Sequence, residues 1–336
     1  MRWLARIAAL VACGALAATL GAAWVYRQWN SPLAANGAGV VVDIPHGATL
    51  RGAARILAGA GVVGSARVFE WLGRWEGVAG RIRPGEYALN PALTPRQALA
   101  LLVKGEVVLH PVTIPEGFTV YETVVRLVMA GFGTVPEYHA ALNDPAPMRA
   151  HGVVTDGVKI PCEGYLFPDT YLFPKGTTPA QAVEAMLTRL DAAFTPERVA
   201  RMAELGWTRH QVLTLASLIE KETALAAERP RVSAVFHNRL EQGMRLQTDP
   251  SVIYAIPAFD GDIRAADLRR DDPYNTYRHH GLPPGPVASP GEASIHAALF
   301  PADDAALYFV SRGDGSHAFS RTKAEHKRAV RRYQSR

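Results

Sequence analysis

Apolar residues dominate the start of the chain. An uncharged segment runs from Ile7 to Tyr26, between Arg6 and Arg27. About twenty helical residues span about 30 Å, which matches the thickness of the hydrocarbon layer of a membrane. The pattern therefore predicts one transmembrane helix at residues 7–26, inside an anchor segment that covers residues 1–29.

A cleaved signal peptide is the competing interpretation of this segment, and Leu10–Cys13 has the form of a lipoprotein signal. Cleavage before Cys13 would leave the apolar residues up to Tyr26 in the mature protein, where a lipoprotein does not need them. A retained anchor is therefore favoured. Arg2 and Arg6 precede the span, and the positive-inside rule then puts the N-terminus in the cytoplasm. We expect the rest of the chain to lie outside the cytoplasm.

Behind the anchor, small and turn-forming residues at 30–39 predict a short flexible linker. The segments "VVVDIP" at 40–45 and "GEYAL" at 85–89 are typical of strands. Between them, "TLRGAARILAGAGVV" and "SARVFEWLGRWEG" have the apolar spacing of helices. The pattern predicts a small α+β module at residues 40–118, followed by a larger mixed α+β domain at residues 119–336.

One predicted helix, "TRHQVLTLASLIEKET", carries two carboxylates next to apolar residues. Thr208 begins a capping box, and the apolar residues that follow predict a largely buried helix. Glu220 and Glu222 both lie beside apolar positions, and the periodicity does not choose between them. Burial raises the pKa of a carboxyl group, as a general acid near neutral pH requires. The alternative is that both end the helix in water, or that one pairs with Lys221 or Arg229.

The chain of 336 residues has a net charge of +5, and residues 321–336 hold seven basic residues and one acidic residue. The remainder of the chain therefore carries a net charge of −1. We expect the basic excess to be a solvated helix face, and attraction to anionic lipid or wall polymer is the other interpretation. Nucleic acid is not expected as a partner of a domain outside the membrane.

Residues typical of metal or cofactor sites are scarce in the sequence. Cys13 and Cys162 lie in unrelated contexts, and no His-Glu-x-x-His motif is present. The adjacent His279 and His280 would point in different directions in most backbones. Glycine motifs that bind phosphate or dinucleotides are also absent. We expect neither a bound metal nor a cofactor.

Four segments combine aromatic, polar and turn-forming residues, as expected of a sugar-binding cleft. The side chains suited to hydrogen-bonding sugar hydroxyl and acetamido groups include Gln247, Thr248, Asn275 and Tyr277. Each segment alone is more typical of a structured loop, but together they favour a cleft. The segments are Glu163–Pro174, Leu246–Ile256, Asp272–Gly291 and Gly313–His326.

Linked motifs extend over most of the chain: "EGYLFPDTY", "LASLIEKET", "LQTDPSVIY", "PYNTY", "GLPPGPVASPG" and "SHAFS" followed by "EH". Together with the single anchor, this set resembles the endolytic murein transglycosylase family, also called YceG-like. This sequence departs from the residues that are frequent in the family at only a few positions of these motifs. Cys162 replaces a frequent leucine, Asp272 a frequent serine, and Ser289 a frequent asparagine in a loop expected to contact sugar.

The resemblance implies a LysM-like module at residues 40–118 and a larger domain that cuts the glycan strands of peptidoglycan. It implies that the first glutamate of Glu-Lys-Glu, Glu220, is the general acid and base. This residue would protonate the oxygen between N-acetylmuramic acid and N-acetylglucosamine, and the C6 hydroxyl would close onto C1 as a 1,6-anhydro ring. Glu163, Asp249 and His317 are expected as orienting groups.

The resemblance also implies a single-pass protein of the bacterial inner membrane, with a periplasmic catalytic domain that acts on nascent strands beside peptidoglycan synthases. Two other classes of function stay open. A membrane-anchored scaffold would bind peptidoglycan without cutting it. A pyridoxal-phosphate lyase would need a Schiff-base lysine, for which Lys221 is the only candidate near the predicted site, and the membrane span argues against it.

Overall fold

The computed structural model describes residues 2–34 and 37–334. It is a mixed α+β structure in which each sheet has two strands: β1 pairs with β2, β3 with β4, and β5 with β6. The helices are α1 (Arg2–Asn30), α2 (Leu50–Gly59), α3 (Ala66–Trp75), α4 (Pro95–Lys104), α5 (Val120–Met129), α6 (Val135–Leu142), α7 (Pro145–Ala150), α8 (Pro179–Ala193), α9 (Pro196–Leu205), α10 (Arg209–Glu222), α11 (Arg229–Glu241), α12 (Asp249–Ala255), α13 (Glu292–Leu299) and α14 (Lys323–Tyr333). The strands are β1 (Val40–Ile44), β2 (Gly85–Leu89), β3 (Leu109–Thr113), β4 (Thr170–Pro174), β5 (Tyr308–Ser311) and β6 (His317–Ser320).

Helix α1 covers the segment that was predicted to be an anchor. It has 29 residues, none of them buried. By length and apolar composition it can cross a membrane. These properties are consistent with a single-pass anchor.

The chain divides into two compact units. The first runs through His110 and also includes Leu172–Gly176; the second holds Pro111–Tyr171 and continues from Thr177. The division therefore falls earlier than the expected boundary at residues 118 and 119. The segment after His110 is bonded within the second unit, since the Gly117 N–H donates to the Ser289 carbonyl over 2.8 Å.

The first unit has the predicted order of strand, helix, helix and strand. β1 and β2 are antiparallel, with Val42 opposite Tyr87. Helices α2 and α3 lie between them in sequence, and each begins at a residue, Thr49 or Ser65, whose side chain accepts a backbone N–H. The core of this unit includes the fully buried side chains of Leu57, Phe69, Leu72, Tyr87 and Leu99.

Helix α10 is a buried element of the second unit, where it packs against α11, α12 and α13. It begins as predicted, because the Thr208 side chain accepts from the Gln211 N–H and the Gln211 side chain accepts from the Thr208 N–H. The eight residues of its middle are all buried. Thr223 adopts an extended backbone, so the helix ends at Glu222.

A hairpin and the last helix complete the second unit. β5 and β6 are antiparallel, and α14 packs against both strands. Gly313 and Gly315 lie in the connecting turn with φ angles of 84° and 87°, a backbone region that favours glycine. The start of α14 is fixed by a capping box between Thr322 and Glu325. The hairpin thereby sets the position of the basic C-terminal helix.

Candidate active site

A cavity of about 920 Å³ lies in the second unit, a size typical of ligand sites. It is formed by the end of α10, parts of α11 and α12, the loop before α13, the β5–β6 hairpin and α14. The lining residues are Glu222, Arg239, Met244, Gln247, Asp249, Tyr277, Tyr308, Phe309, Val310, Ser311, His317, Lys323, His326, Lys327, Val330, Arg331 and Gln334.

Glu222, the last residue of α10, lines this cavity. Its Oε2 accepts a hydrogen bond of 2.7 Å from the Thr248 hydroxyl. Burial raises the pKa of the Glu222 carboxyl to about 7; the Asp249 charge also raises it, whereas the Thr248 hydrogen bond and the charges of His317 and Arg239 lower it. A carboxyl group with this pKa holds its proton in a large fraction of molecules near neutral pH, so it can act as a general acid.

Asp249 and Tyr277 form a hydrogen-bonded pair in the cavity lining. The Tyr277 hydroxyl donates to Asp249 Oδ1 over 2.7 Å. The neighbouring Gln247 has a φ of 48°, a left-handed conformation that is strained for a residue other than glycine. Its backbone N–H donates to the Thr276 carbonyl over 3.2 Å. Two segments, one at the start of α12 and one before α13, therefore bring an amide, a carboxylate and a phenol into the same lining as Glu222.

His317 lines the cavity at the start of β6, where Glu228 holds it. Its backbone N–H donates to Glu228 Oε1 over 3.0 Å, and its Nδ1 lies 2.7 Å from Glu228 Oε2. Glu228 ends the short 3₁₀ helix Ala226–Glu228 that follows α10. These two contacts fix the orientation of the imidazole.

Glu220 has a different environment, although it is only two residues before Glu222. Its Oε1 accepts from Arg229 Nη2 over 2.8 Å, and its Oε2 accepts from the Gly291 N–H over 2.9 Å. The side chains of Glu220 and Arg229 are only 6% and 10% exposed. Arg229 also lies 3.3 Å from Glu116. Glu220 is absent from the cavity lining, and both of its oxygens are bound by protein donors.

Two of the predicted substrate-binding residues, Glu163 and Asn275, lie away from the cavity. Glu163 is 3% exposed, and its carboxylate accepts from the Val120 N–H and the Tyr254 hydroxyl. Burial raises the pKa of Glu163 to about 7. Asn275 is fully buried; its amide nitrogen donates to the backbone carbonyls of residues 267, 268 and 270, and its amide oxygen accepts from the Tyr277 N–H. Both residues hold the fold together locally.

The structure brings the other predicted residues together. Gln247, Asp249, Tyr277 and His317 line the cavity with Glu222, and Thr248 is buried behind them with its hydroxyl on Glu222. The predicted cleft therefore gathers segments from three of the four loop regions.

Sequence reasoning missed Arg239 and the contribution of α14. Arg239 is buried in the cavity wall, where its Nε donates to the Leu307 carbonyl over 2.7 Å. Three bases of α14, namely Lys323, Lys327 and Arg331, also line the cavity. Their spacing of four residues is visible in the sequence, but local spacing does not reveal what the helix face lies against.

Groups suited to metal binding or thiol chemistry are not gathered in the part of the chain that the structure describes. Among residues 2–34 and 37–334, no cluster of three or more His, Cys, Asp or Glu side chains is arranged to hold a metal ion. Cys13 is exposed on α1, and burial raises the pKa of the Cys162 thiol to about 12. A buried thiol of this kind is a poor nucleophile.

The chain is similar to known proteins over most of its length. The model of the YceG-like family matches residues 42–332. The endolytic murein transglycosylase of Bacillus subtilis strain 168 is 30% identical over 305 residues, which cover 88% of this chain and 84% of that protein. The endolytic murein transglycosylase of Streptococcus pneumoniae D39 is 30% identical over 320 residues, which cover 87% of this chain but only 58% of that longer protein.

A solved structure supports the same relationship. The crystal structure of a YceG-like protein from Listeria monocytogenes superposes with a TM-score of 0.61 at 31% identity, covering 87% of this chain and 98% of that one. Because sequence and fold agree over the two units described above, the chain belongs to the YceG-like family.

Proposed function

We propose that this protein is an endolytic lytic transglycosylase of peptidoglycan, which cuts the bond between N-acetylmuramic acid and N-acetylglucosamine and leaves 1,6-anhydro ends. The names of its relatives in Bacillus and Streptococcus support this activity. The observation that carries the proposal is a carboxyl group with a pKa raised to about 7 in a cavity lined by amide, phenol and imidazole groups.

The geometry favours Glu222 as the general acid and base over Glu220, the residue indicated by the family resemblance. Glu222 faces the cavity and accepts from one hydroxyl. Glu220 is occupied on both oxygens by Arg229 and Gly291 and has no place in the cavity lining. A proton donor must reach the leaving oxygen of the substrate, and the place of Glu222 in the cavity lining supports this role for it.

The chemistry needs one titrating carboxyl group. Protonated Glu222 gives its proton to the glycosidic oxygen as the bond to C1 of the muramic residue breaks and an oxocarbenium-like centre develops. The resulting carboxylate then takes the proton from the C6 hydroxyl of the same residue as O6 bonds to C1. Glu222 ends the cycle protonated, no water is consumed, and the neighbouring carboxylate of Asp249 is suited to stabilise the transient positive charge.

We further propose that α1 is a single-pass anchor in the inner membrane and that the second unit acts in the periplasm, next to the synthases that make nascent strands. The positive charges before the span support this orientation. The strand-helix-helix-strand order of the first unit supports a LysM-like, glycan-binding role for it.

The test is product analysis with the full-length chain in detergent micelles and purified peptidoglycan. The ends released by the wild type are identified by mass spectrometry. We expect 1,6-anhydro-muramic ends with the wild type and none with Glu222→Gln. Reducing ends would instead indicate a hydrolase, and binding without any product would indicate a scaffold.

A further inference from the structure

One face of α14 forms a row of positive charge along the cavity. Lys323, Lys327 and Arg331, here called the α14 row, are separated by four residues each and all line the same cavity as Glu222. At about 1.5 Å per helical residue, the row is about 12 Å long. The capping box of Thr322 and the packing of α14 on the hairpin hold the helix in this place.

The charges of the α14 row are not neutralised by the protein. None of its three side chains forms an ion pair with another residue in the described ranges 2–34 and 37–334. Glu325, the acid on α14, has its carboxylate bonded to the backbone N–H groups of Arg321 and Thr322. The wall therefore presents unpaired cations to whatever enters the cavity.

Arg239 adds a fourth positive charge to the lining, while Asp249 is bound by Tyr277. The other titratable groups in the lining are His317, His326, Tyr308 and Glu222. Glu228 holds His317, burial lowers the pKa of His326, and the pKa of Glu222 is raised to about 7. The lining as a whole is electropositive, which favours an anionic ligand.

The polysaccharide backbone of intact peptidoglycan does not supply this anion, because its glycosidic oxygens are uncharged and the lactyl carboxyl group of each muramic residue is used in the amide bond to the peptide. The carboxylates of peptidoglycan lie on the peptide attached to each muramic residue. An extended peptide advances about 3.3–3.6 Å per residue, so a row of about 12 Å matches three to four peptide residues. Lysine and arginine form charge-assisted hydrogen bonds with such carboxylates.

We propose that the α14 row is a subsite for the carboxylates of the stem peptide on the muramic residue being cut. This inference rests on the proposed function, and it makes the enzyme selective for peptide-bearing strands over strands stripped of peptide. A pyrophosphate at the lipid-linked end of a nascent strand offers a similar anionic chemistry, and the experiment separates the two sources.

The experiment compares three full-length proteins. The row variant carries Lys323→Gln, Lys327→Gln and Arg331→Gln. The matched control carries Arg321→Gln, Arg328→Gln and Arg332→Gln, which remove the same charge from the same segment at residues outside the cavity lining. The substrates are strands from cell walls with their peptides, the same strands after amidase treatment, and lipid-linked strands.

We expect the row variant to lose about tenfold or more in kcat/KM on peptide-bearing strands, because three charge-assisted contacts disappear. Amidase treatment leaves one free lactyl carboxylate on each muramic residue, so on treated strands the row variant should lose at most about threefold. The control should stay within about twofold of the wild type on every substrate. Equal losses on peptide-bearing and stripped strands, or no loss on either, would overturn the proposal. A loss confined to lipid-linked strands would assign the row to the pyrophosphate instead.

A binding measurement separates failure of this proposal from failure of the proposed function. Glu222→Gln protein, with and without the three row substitutions, is titrated with soluble peptide-bearing and stripped glycan oligomers. We expect only the intact row to bind the peptide-bearing oligomers more tightly, even if no product is ever formed. Equal affinity for both oligomers would overturn the proposal whatever the activity of the wild type.

Discussion

Glu220 and Glu222 lie on the same helix, two residues apart, and have opposite surroundings. Glu220 is bound by Arg229 and by the Gly291 N–H, so its charge is compensated inside the protein. Glu222 accepts from Thr248 and faces a cavity, and burial raises the pKa of its carboxyl to about 7. The difference teaches that the surroundings of a carboxylate depend on its distant neighbours in the fold and not on the motif that contains it.

Helix geometry explains how adjacent motif residues are separated. Residues two positions apart on an α-helix are rotated by about 200° about the helix axis, so their side chains lie on nearly opposite sides. One side of the end of α10 meets α11 and the loop before α13, and the other side meets the cavity. In the mechanism that we propose, a single helix therefore carries both a structural carboxylate and the reactive one.

The largest expected effect comes from removing the carboxylate that we propose as the general acid. Glu222→Gln should reduce kcat by about 10²–10⁴-fold, because the amide cannot transfer a proton. Glu220→Gln should retain most of the activity of its folded fraction. Initial rates of anhydro-product release, normalised to folded protein by circular dichroism, measure both. Greater loss in Glu220→Gln would reverse the assignment of the two residues.

The next effect concerns stability. Glu220→Gln should lower the free energy of unfolding by about 3 kcal/mol, because the buried Arg229 then keeps only its 3.3 Å ion pair with the solvent-exposed Glu116. Chemical denaturation measures this change. The double variant Glu220→Gln, Arg229→Met should recover part of the loss, since no uncompensated buried cation remains. Unchanged stability in the single variant would mean that the ion pair contributes nothing.

A third carboxylate sharpens the comparison, since Glu163 also has a pKa raised to about 7 by burial but lies outside the cavity. A carboxyl whose pKa is higher in the folded state than its ordinary 4.5 stabilises the fold at low pH, and this stabilisation is lost as pH rises from 4.5 through about 7. As the pH rises from 4.5 to about 7, the free energy of unfolding of the wild type should fall by about 3 kcal/mol more than that of Glu163→Gln, which has no titrating group at this position.

Activity provides the control for that substitution. Glu163→Gln should cut peptidoglycan at nearly the wild-type rate, because the side chain does not reach the cavity. Denaturant melts at several pH values, paired with rate measurements, check the two halves of the prediction. A large loss of rate with unchanged stability would give Glu163 a role in catalysis.

The smallest effect tests how Glu222 is tuned. Burial raises the pKa of Glu222, and the hydrogen bond from Thr248 partly offsets this by lowering it. Because Thr248→Val removes the hydrogen bond, the pKa of Glu222 should rise further. The general acid is active while protonated, and kcat/KM therefore falls as pH rises through the pKa. In Thr248→Val this fall should shift upward by up to about one pH unit. A downward shift in the pH profile would contradict the role of Glu222 as the acid.

Much of the fold follows from local signals in the sequence. The capping box at Thr208 and the apolar stripe after it predicted α10, and the strands β1 and β2 lie where their composition indicated. The mixed α+β class and the family were also predicted, and both are confirmed. These features depend on residues within a few positions of each other, which a single sequence displays directly.

The division of labour within the site depends on distant contacts. Gly291, which binds Glu220, is far from it in the chain, so the motif could not show which glutamate was occupied. Asn275 looks like a sugar-binding amide in sequence, but its amide is consumed by backbone carbonyls of its own loop. The residue type alone does not show whether an amide side chain binds a ligand or the backbone of a turn.

The cavity also has a consequence for the order in which the protein becomes active. Its lining extends from Glu222 at the end of α10 to Gln334, directly after the end of α14. During synthesis the N-terminal part of a chain emerges and folds first. Most of the residues that line the cavity follow Glu222 in the chain, so the carboxylate is synthesised before its surroundings. The enclosed site therefore forms only after α14 has been made and has docked on the β5–β6 hairpin.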